Sequence, residues 1–240
     1  MRKRADALLV ERGFFASRAR AQAAISAGLV SADGIAVRKA SAALAPDAEI
    51  AAAEPHPWVS RGGVKLAAAL DAFALDPLGL ACLDIGASTG GFTDVLLARG
   101  ARSVVSVDVG HGQLHPRLAA DSRVTHREGL DARRLTRELA GQPQAIVCDV
   151  SFISQRLALP AALRLADRPA WLVSLVKPQF ESDRASLVKG HVKDPAAHAA
   201  ACEAVRRCVE DLGWTSLGLI PSPIAGGDGA REFLYAARNG

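Results

Sequence analysis

The chain has 240 residues, half of them hydrophobic, and a formal net charge of +4. This length predicts one medium-sized domain plus a small one, and the basic balance favours a nucleic-acid partner without requiring one. The sequence lacks an apolar run long enough to span a bilayer and the apolar core of a signal peptide, so we expect a cytoplasmic protein without a membrane partner. The four cysteines have no C-x-x-C spacing, which predicts reduced thiols and no metal site.

Residues 1–50 are predicted to form a separate small domain with two helices and a hairpin. A stripe of apolar residues at helical spacing begins at Ala5, and a second helix is predicted over 18–27, where Ser17 can cap the first turn. The Asp33-Gly34 pair lies between two short apolar runs and is a strong signal for a two-residue hairpin. This order of elements predicts a domain of the α+β class.

Basic residues are concentrated at the start of this domain, where the first twenty residues carry six basic and two acidic side chains. Arg18 and Arg20 stand at the beginning of the second helix, where cations oppose the helix dipole and a bound phosphate would relieve that conflict. The pattern resembles the small RNA-binding module first seen in a small-subunit ribosomal protein, through Arg4 to Gly13, Ser17 to Ala21, Ile25, Gly28 and Val30. Arg4, Arg18 and Arg20 are therefore candidate RNA-binding residues.

Residues 51–58 contain two prolines and predict a linker to a second domain over 59–240. Gly62-Gly63 then marks a turn, and Lys65 opens a helix predicted to run to about Phe73. Arg61 lies beside the glycine pair, so we include it among the candidate RNA-binding residues.

From residue 81 onward, strand and helix signals alternate along the chain. Strands are predicted at 81–85, 103–108, 124–128, 145–149 and 171–176, and helices at 92–99, 113–120, 132–139, 155–166 and 194–211. This alternation predicts a parallel sheet wound on both faces. Two last strands, near 214–220 and 232–236, are joined by a loop and should pair antiparallel. The expected fold is α/β, a seven-stranded Rossmann-like methyltransferase sheet preceded by the small α+β domain.

The stretch from Leu83 to Asp94 predicts a strand end, a glycine turn and a helix start, where such sheets bind nucleotides. Its G-x-x-x-G-G spacing is neither the dinucleotide fingerprint nor a phosphate loop, which disfavours a pyrophosphate. The Asp84 carboxylate would repel phosphates and suits a cation, and S-adenosylmethionine carries an ammonium and a sulfonium. The candidate cofactor residues here are Asp84, Gly86, Ala87, Ser88, Gly90, Gly91 and Phe92; the three glycines are predicted to remove side chains where the ligand approaches the backbone.

Charged residues also stand at the ends of the later strands. Asp108 ends the second strand, where an acid takes the ribose hydroxyls of a nucleotide cofactor, and Asp131 follows the third, where it can reach the adenine amino group. Asp149, Lys177 and Glu232 occupy three further strand ends, and the topology should place Asp149 and Lys177 at one edge of the sheet. The residues after Asp149 are not the Pro-Pro-Tyr typical of enzymes that methylate exocyclic amines, which counts against base methylation.

The order of Lys65, Asp149, Lys177 and Glu232 resembles the catalytic tetrad of the FtsJ-like ribose 2′-O-methyltransferases. The whole chain resembles the TlyA family of rRNA 2′-O-methyltransferases, also called haemolysin A, although that family has Asn at the position of Asp131. The matching text is 59–63 with Lys65, 84–94, 107–110 with Gln113-Leu114, 149–154, 177–181 and 232–234. The resemblance implies S-adenosylmethionine as the cofactor, a 2′-O-methylated cytidine in rRNA as the product and a ribosomal subunit as the partner. The short chain ends resemble the form that modifies only the large subunit.

As a mechanistic hypothesis, each member of the tetrad is given a role. Lys177 would accept the proton of the ribose hydroxyl, Asp149 would orient Lys177, and Lys65 with Glu232 would position the ribose. A metal is not required, because methyl transfer from a sulfonium creates no anion that needs one. Three alternatives stay open: a non-catalytic RNA-binding ribosome-assembly factor, a membrane-active cytolysin as the family's other name suggests, and a methyltransferase that acts on a base or on tRNA.

Overall fold

The computed structural model describes residues 2–53, 56–183, 187–188, 190–226 and 229–240. The chain divides into two compact units, Met1–Pro57 and Trp58–Gly240. The boundary falls inside the segment predicted as a linker, 51–58, of which Glu54 and Pro55 lie outside the described residues.

The first unit combines short strands with two helices: β1 (Lys3–Arg4), α1 (Ala5–Glu11), α2 (Arg18–Ser26), β2 (Val30–Ala32), β3 (Ile35–Ala36), β4 (Ala43–Leu44) and β5 (Ile50–Ala52). β2 and β3 form the predicted hairpin around Asp33 and Gly34, both of which have positive φ. Ser17 caps α2 by accepting a hydrogen bond from the Arg20 amide. β5 pairs with β2, so Ala51 and Ala52 belong to this sheet and the predicted linker begins too early.

The second unit carries the larger sheet and its flanking helices. The strands are β6 (Ala81–Ile85), β7 (Ser103–Val107), β8 (Val124–Arg127), β9 (Ala145–Cys148), β10 (Ala170–Val176), β11 (Leu187–Val188), β12 (His191–Val192), β13 (Thr215–Pro221) and β14 (Phe233–Asn239). The helices are α3 (Gly62–Phe73), α4 (Gly91–Ala98), α5 (Pro116–Ala119), α6 (Arg137–Ala140), α7 (Gln155–Leu165), α8 (Pro178–Glu181) and α9 (Pro195–Glu210), with a 3-10 turn at Ala132–Arg134.

Seven of these strands form one sheet in the order β13-β14-β10-β9-β6-β7-β8. β6 to β10 run parallel, whereas β14 is antiparallel to both of its neighbours. β11 and β12, which the sequence did not predict, form a separate hairpin. The predicted α/β fold, with five parallel strands and a final antiparallel pair, is confirmed.

Both faces of the central strands are buried, which explains why β9 and β10 are apolar along almost their whole length. Leu83 and Ile146 pack with α7 and α9 on one face, and Cys82 and Val147 pack with α3 and α4 on the other. Helices therefore cover both faces and leave the strand ends as the open edge of the sheet.

The register of the sheet explains how residues far apart in the sequence meet at that edge. The last residue of β10 is paired with the first residue of β14, so Lys177 and Glu232 are the next residues beyond this pair. The last residue of β9 is paired with the last residue of β6, so Asp149 stands beside the glycine turn that follows β6.

Two predicted helices are shorter than expected. The helix predicted over 113–120 is reduced to α5, because Pro116 lacks an amide hydrogen and occupies the first helical position. The helix predicted over 132–139 is divided into a 3-10 turn and α6, because Leu135 and Thr136 have extended backbone conformations.

A third helix is longer than predicted, since α3 begins at Gly62 and not at Lys65. The glycine pair therefore lies in the first turn of α3. A Cβ atom on Gly63 would lie 2.4 Å from the Trp58 side chain, so this glycine allows Trp58 to pack against the helix.

None of the helices formed by the described residues has the length and apolarity needed to cross a bilayer. All four cysteines are free thiols. Within the described ranges, His, Cys, Asp and Glu side chains form no group of three that could hold a metal ion.

Candidate active site

Three charged residues that the sequence singled out line one small cavity of about 230 Å³. Lys65 comes from α3, Asp149 from the segment after β9, and Lys177 from the segment after β10. Glu232, just before β14, contacts Lys65. The structure therefore brings together the four residues of the predicted tetrad.

Lys177 is held at the wall of this cavity by two contacts from the segment after β9. Its Nζ atom lies 2.6 Å from Asp149 Oδ1 and donates a hydrogen bond to Ser151 Oγ at 2.8 Å. The approach to Asp149 is an ion pair without hydrogen-bond alignment, so Ser151 is the aligned acceptor. The Lys177 side chain is 12% exposed, and its amine is reached from the cavity.

Lys65 and Glu232 form a buried ion pair with a short contact between Lys65 Nζ and Glu232 Oε2. Their exposed fractions are only 7% and 5%. Each charge would be costly to bury without the other. The pair therefore fastens α3 to the segment that enters β14 and fixes the amine of Lys65 at the cavity.

A larger cavity of about 770 Å³ adjoins the small one, because both are lined by Gly86, Ser88, Asp149 and Ser151. The charged residues of the large cavity are Asp108, Asp131, Arg133 and Asp149. The Arg133 guanidinium is paired with Asp131 at 2.5 Å. The lining is therefore acidic on balance and suits a cationic ligand.

Asp108 and Asp131 lie in this large cavity, as their positions after β7 and β8 predict. The Asp108 carboxylate accepts hydrogen bonds from the amides of Ser88 at 2.8 Å and Gly110 at 2.7 Å. Asp131 begins the 3-10 turn, and its hydrogen bonds with Arg133 lower its pKa to about 2. Both are thus oriented acceptors, suited to hydroxyl and amino donors.

The glycine turn after β6 lies between the two cavities. Gly86 and Ser88 line both cavities, and Ala87, Gly91 and Phe92 line the small one. Gly90 lines neither. Five of the six turn residues predicted to contact a cofactor are therefore at a cavity wall.

The three glycines also have a reason that lies within the protein. A Cβ atom on Gly86 would lie 2.5 Å from the carbonyl oxygen of Asp149, one on Gly90 would meet the side chain of Leu118, and one on Gly91 would meet Ser60 Oγ. Each glycine is needed because another part of the protein packs against the turn. The sequence shows that side chains are excluded but not which neighbour excludes them.

We expect Gly86→Ala to destabilise the protein by about 2 kcal/mol or more, because positive φ and a backbone clash act together. Gly86 has φ +82°, and the clashing atom is a carbonyl oxygen that cannot move without Asp149. Chemical denaturation measures the loss. Gly213→Ala is the matched control, since Gly213 has φ +84° and open space around it. Equal losses in the two variants would contradict the clash.

Asp84 lies beneath the turn and lines neither cavity. It is fully buried, and Oδ2 accepts a hydrogen bond from Thr93 Oγ1 at 2.6 Å. Burial raises the pKa of Asp84 to about 7, with the Thr93 hydrogen bond acting in the opposite direction. The structure thus does not bring Asp84 into contact with either cavity, and its position indicates an indirect role in holding the turn.

The raised pKa of Asp84 makes stability depend on pH. The carboxyl of an unfolded chain has a pKa of about 3.9, so the folded protein holds an extra proton between that pH and about 7. This contribution is present at low pH and lost as the pH rises towards 7. Between about pH 5 and about pH 7.5, the free energy of unfolding of the wild type should fall. In Asp84→Asn, which has no carboxyl at this position, we expect the fall to be smaller by about 2–3 kcal/mol. Denaturation curves at both pH values test this, and parallel losses would contradict it.

Sequence analysis missed the role of Glu181, a buried carboxylate at the end of α8. Glu181 accepts hydrogen bonds from Ser154 Oγ at 2.5 Å and from the Gln155 amide at 2.6 Å. It thereby ties the segment that follows Lys177 to the start of α7, and so to the segment that carries Asp149. The signal was a carboxylate four residues after the strand-end Lys177, but its partners lay in another segment.

Three of the predicted RNA-binding arginines have structural partners in the first unit. Arg4 and Arg18 pair with the buried carboxylate of Asp6 at 3.1 and 2.7 Å. Their hydrogen bonds hold the pKa of Asp6 well below its usual range. Arg20 donates to the carbonyl of His56 in the same unit. Arg61, in the second unit, donates to the carbonyl of Ala225 at 2.6 Å and lines neither cavity described above.

Comparisons with known proteins identify the family of this chain. The FtsJ-like methyltransferase family matches residues 58–239. The 16S/23S rRNA (cytidine-2′-O)-methyltransferase TlyA of Mycobacterium tuberculosis is 45% identical over 241 residues, which cover 99% of this chain and 90% of the relative. Hemolysin A of Brachyspira hyodysenteriae is 36% identical, with 96% and 98% covered.

A solved structure of a protein named as a hemolysin, from Streptococcus thermophilus, has a TM-score of 0.78 and 38% identity. The match covers 99% of this chain and 88% of that one, so the likeness extends over both units. Sequence and structure therefore point to the same family along nearly the whole chain. The chain belongs to the TlyA family of FtsJ-like methyltransferases.

Proposed function

We propose that this protein transfers a methyl group from S-adenosylmethionine to the 2′-hydroxyl of a cytidine in ribosomal RNA. The observation that carries the proposal is the small cavity, where Lys65, Asp149 and Lys177 meet beside the larger acidic cavity. The relatives of this chain named as rRNA (cytidine-2′-O)-methyltransferases support this choice of substrate.

The large cavity fits S-adenosylmethionine by its charge and its hydrogen-bond acceptors. Asp108 is suited to the ribose hydroxyls and Asp131 to the adenine amino group, since an ionised carboxylate only accepts hydrogen bonds. The glycine turn, including Gly86 and Ser88, would hold the methionine part at the junction of the two cavities. Asp84 supports that turn from below. When bound, the cofactor supplies an electrophilic methyl group.

The residues of the small cavity prepare the hydroxyl for attack. Lys177 acts as a neutral amine after it has lost one proton to solvent: its Nζ atom accepts the proton from the ribose 2′-hydroxyl, and Asp149 and Ser151 keep that atom in place. Lys65, fixed by Glu232, donates a hydrogen bond to the ribose and positions it. Much of the rate comes from this alignment, because the hydroxyl and the methyl group react only in line.

Asp108→Asn is expected to weaken cofactor binding by about tenfold or more, because the amide has one acceptor oxygen where the carboxylate has two. One of the amides of Ser88 and Gly110 would then be without an acceptor. Calorimetric titration with S-adenosylhomocysteine measures the change. Asp76→Asn, an exposed carboxylate that accepts from the Leu78 amide, is the control. Unchanged affinity in Asp108→Asn would remove Asp108 from the cofactor site.

The decisive experiment gives the full chain radiolabelled S-adenosylmethionine and unmodified rRNA, either as transcripts or within purified small and large subunits. After nuclease digestion, the proposal expects the label in 2′-O-methylcytidine, and mapping assigns the nucleotide and the subunit. Label in a base would instead indicate a base methyltransferase. RNA binding without any label, together with no cofactor binding, would indicate a non-catalytic assembly factor and overturn the proposal.

A further inference from the structure

A third cavity, of about 280 Å³, lies beyond the two already described. Its walls come from α8, β12, the first turn of α9 and the residues just before β14. The side chains that matter here are Gln179, His191, Lys193, His198 and Arg231. We call it the basic cavity, because every titratable side chain in its lining is a lysine, an arginine or a histidine.

We propose that the basic cavity binds a backbone phosphate of the substrate RNA next to the nucleotide that is methylated; this inference rests on the proposed function. Lys193 and Arg231 supply two full positive charges at an exposed rim, and Gln179 supplies an amide donor. Such a set matches the oxygens of a phosphodiester, which accept hydrogen bonds and carry negative charge.

The position of the cavity favours an RNA phosphate over a free anion. Arg231 immediately precedes Glu232, and Gln179 follows Lys177 by two residues. The basic cavity is therefore built on the same two strand ends as the tetrad. A ribose held at Lys177 has a phosphodiester on each side, and one of them must leave the small cavity along the protein surface. The basic cavity supplies the charge to receive it.

The two cations are also available for a ligand. Among the described residues, neither Lys193 nor Arg231 forms an ion pair, whereas many other arginines of the unit do. The guanidinium of Arg231 lies over the Phe233 ring, 5.5 Å from its centroid. This contact orients Arg231 without neutralising its charge. His198 packs edge-on against the same ring, and its Nε2 atom lies 2.8 Å from the Val192 carbonyl oxygen, which makes the wall rigid.

The test compares the cavity variant, Lys193→Gln/Arg231→Gln, with the control variant, Arg164→Gln/Arg168→Gln. The control removes the same number of positive charges, but at the opposite edge of the sheet, from the end of α7 and the segment before β10. Two quantities are measured on the full chain with protein-free rRNA: methyl-transfer kinetics and the salt dependence of RNA binding. We expect the cavity variant to raise KM for RNA by about tenfold and to leave kcat within about twofold. The slope of log K against log salt should become shallower by about 0.7 for each phosphate that the variant no longer binds.

The control should match the wild type in both measurements. If the cavity variant does so as well, the inference is wrong. If the cavity variant differs from the wild type only with assembled subunits, and not with protein-free rRNA, the basic cavity contacts a ribosomal protein. That result would also overturn the inference. Lys193→Gln alone, which leaves Phe233 untouched, repeats the test if the double variant unfolds at a lower temperature. Wild-type protein that binds rRNA but transfers no methyl group would overturn the proposed function. The salt dependence of RNA binding would still show whether the basic cavity binds a phosphate.

Discussion

Lys177→Ala is expected to lower kcat for methyl transfer by about a thousandfold while cofactor binding stays intact, because the proposed mechanism assigns the hydroxyl proton to this side chain. The side chain lies in the small cavity and outside the lining of the large one. Its removal should therefore leave the affinity for S-adenosylhomocysteine within about twofold of the wild type. Single-turnover kinetics with saturating RNA measure the chemical step directly.

Two further variants distinguish whether Lys177 acts as a proton acceptor or only supplies a positive charge. Lys177→Arg keeps the charge, but a guanidinium cannot be deprotonated in a protein, so it should be as inactive as the alanine variant. Ser151→Ala removes the 2.8 Å hydrogen bond to Lys177 and keeps the amine, so only a modest decrease is expected. Near-normal turnover by Lys177→Ala, or rescue by arginine, would rule out Lys177 as the base.

Glu232→Leu is expected to destabilise the protein by about 3–5 kcal/mol, because it leaves the Lys65 amine buried without its carboxylate. Lys65→Met should cost a similar amount by leaving Glu232 alone. The double variant, Lys65→Met/Glu232→Leu, should recover most of this stability, since two apolar side chains can fill the space of the pair. Chemical denaturation of all four proteins gives the coupling energy.

Methyl transfer should not recover in the double variant, because the amine that the proposed mechanism uses to position the ribose is still missing. This separation of stability from activity is the diagnostic result. Additive losses of stability would show that the two side chains do not depend on each other. Restored activity in the double variant would show that the pair serves the fold alone.

The topology of the sheet was predictable because four of its five parallel strands, β6, β7, β9 and β10, are short and mainly apolar runs, and a buried strand needs such a run. Asp108, Asp149 and Lys177 were predictable for a related reason. Each is a charged residue that directly follows a buried run and so marks the strand end, and parallel strands place their carboxyl ends at one edge. The antiparallel entry of β14 brings Glu232 to the same edge, although it precedes its strand.

What the sequence could not supply was the partner of each group. Asp84 stands beside a glycine turn and was expected to face the cofactor, yet it is fully buried and bonded to Thr93. Arg4 and Arg18 were expected to face RNA, yet both pair with Asp6. Such partners depend on side-chain direction and on segments far away in the chain. The spacing of residues within one stretch of sequence gives no information about either.

The common wall of the small and large cavities, formed by Gly86, Ser88, Asp149 and Ser151, has a consequence for inhibitor chemistry. A single molecule that joins an adenosine to a second nucleoside through a short spacer can fill the large and the small cavity at once. Because the wall is shared, the spacer has no gap to bridge, and little freedom is lost when the two halves bind together. Compounds of this bisubstrate type should discriminate against methyltransferases that hold a flat base, and not a sugar hydroxyl, beside the same cofactor.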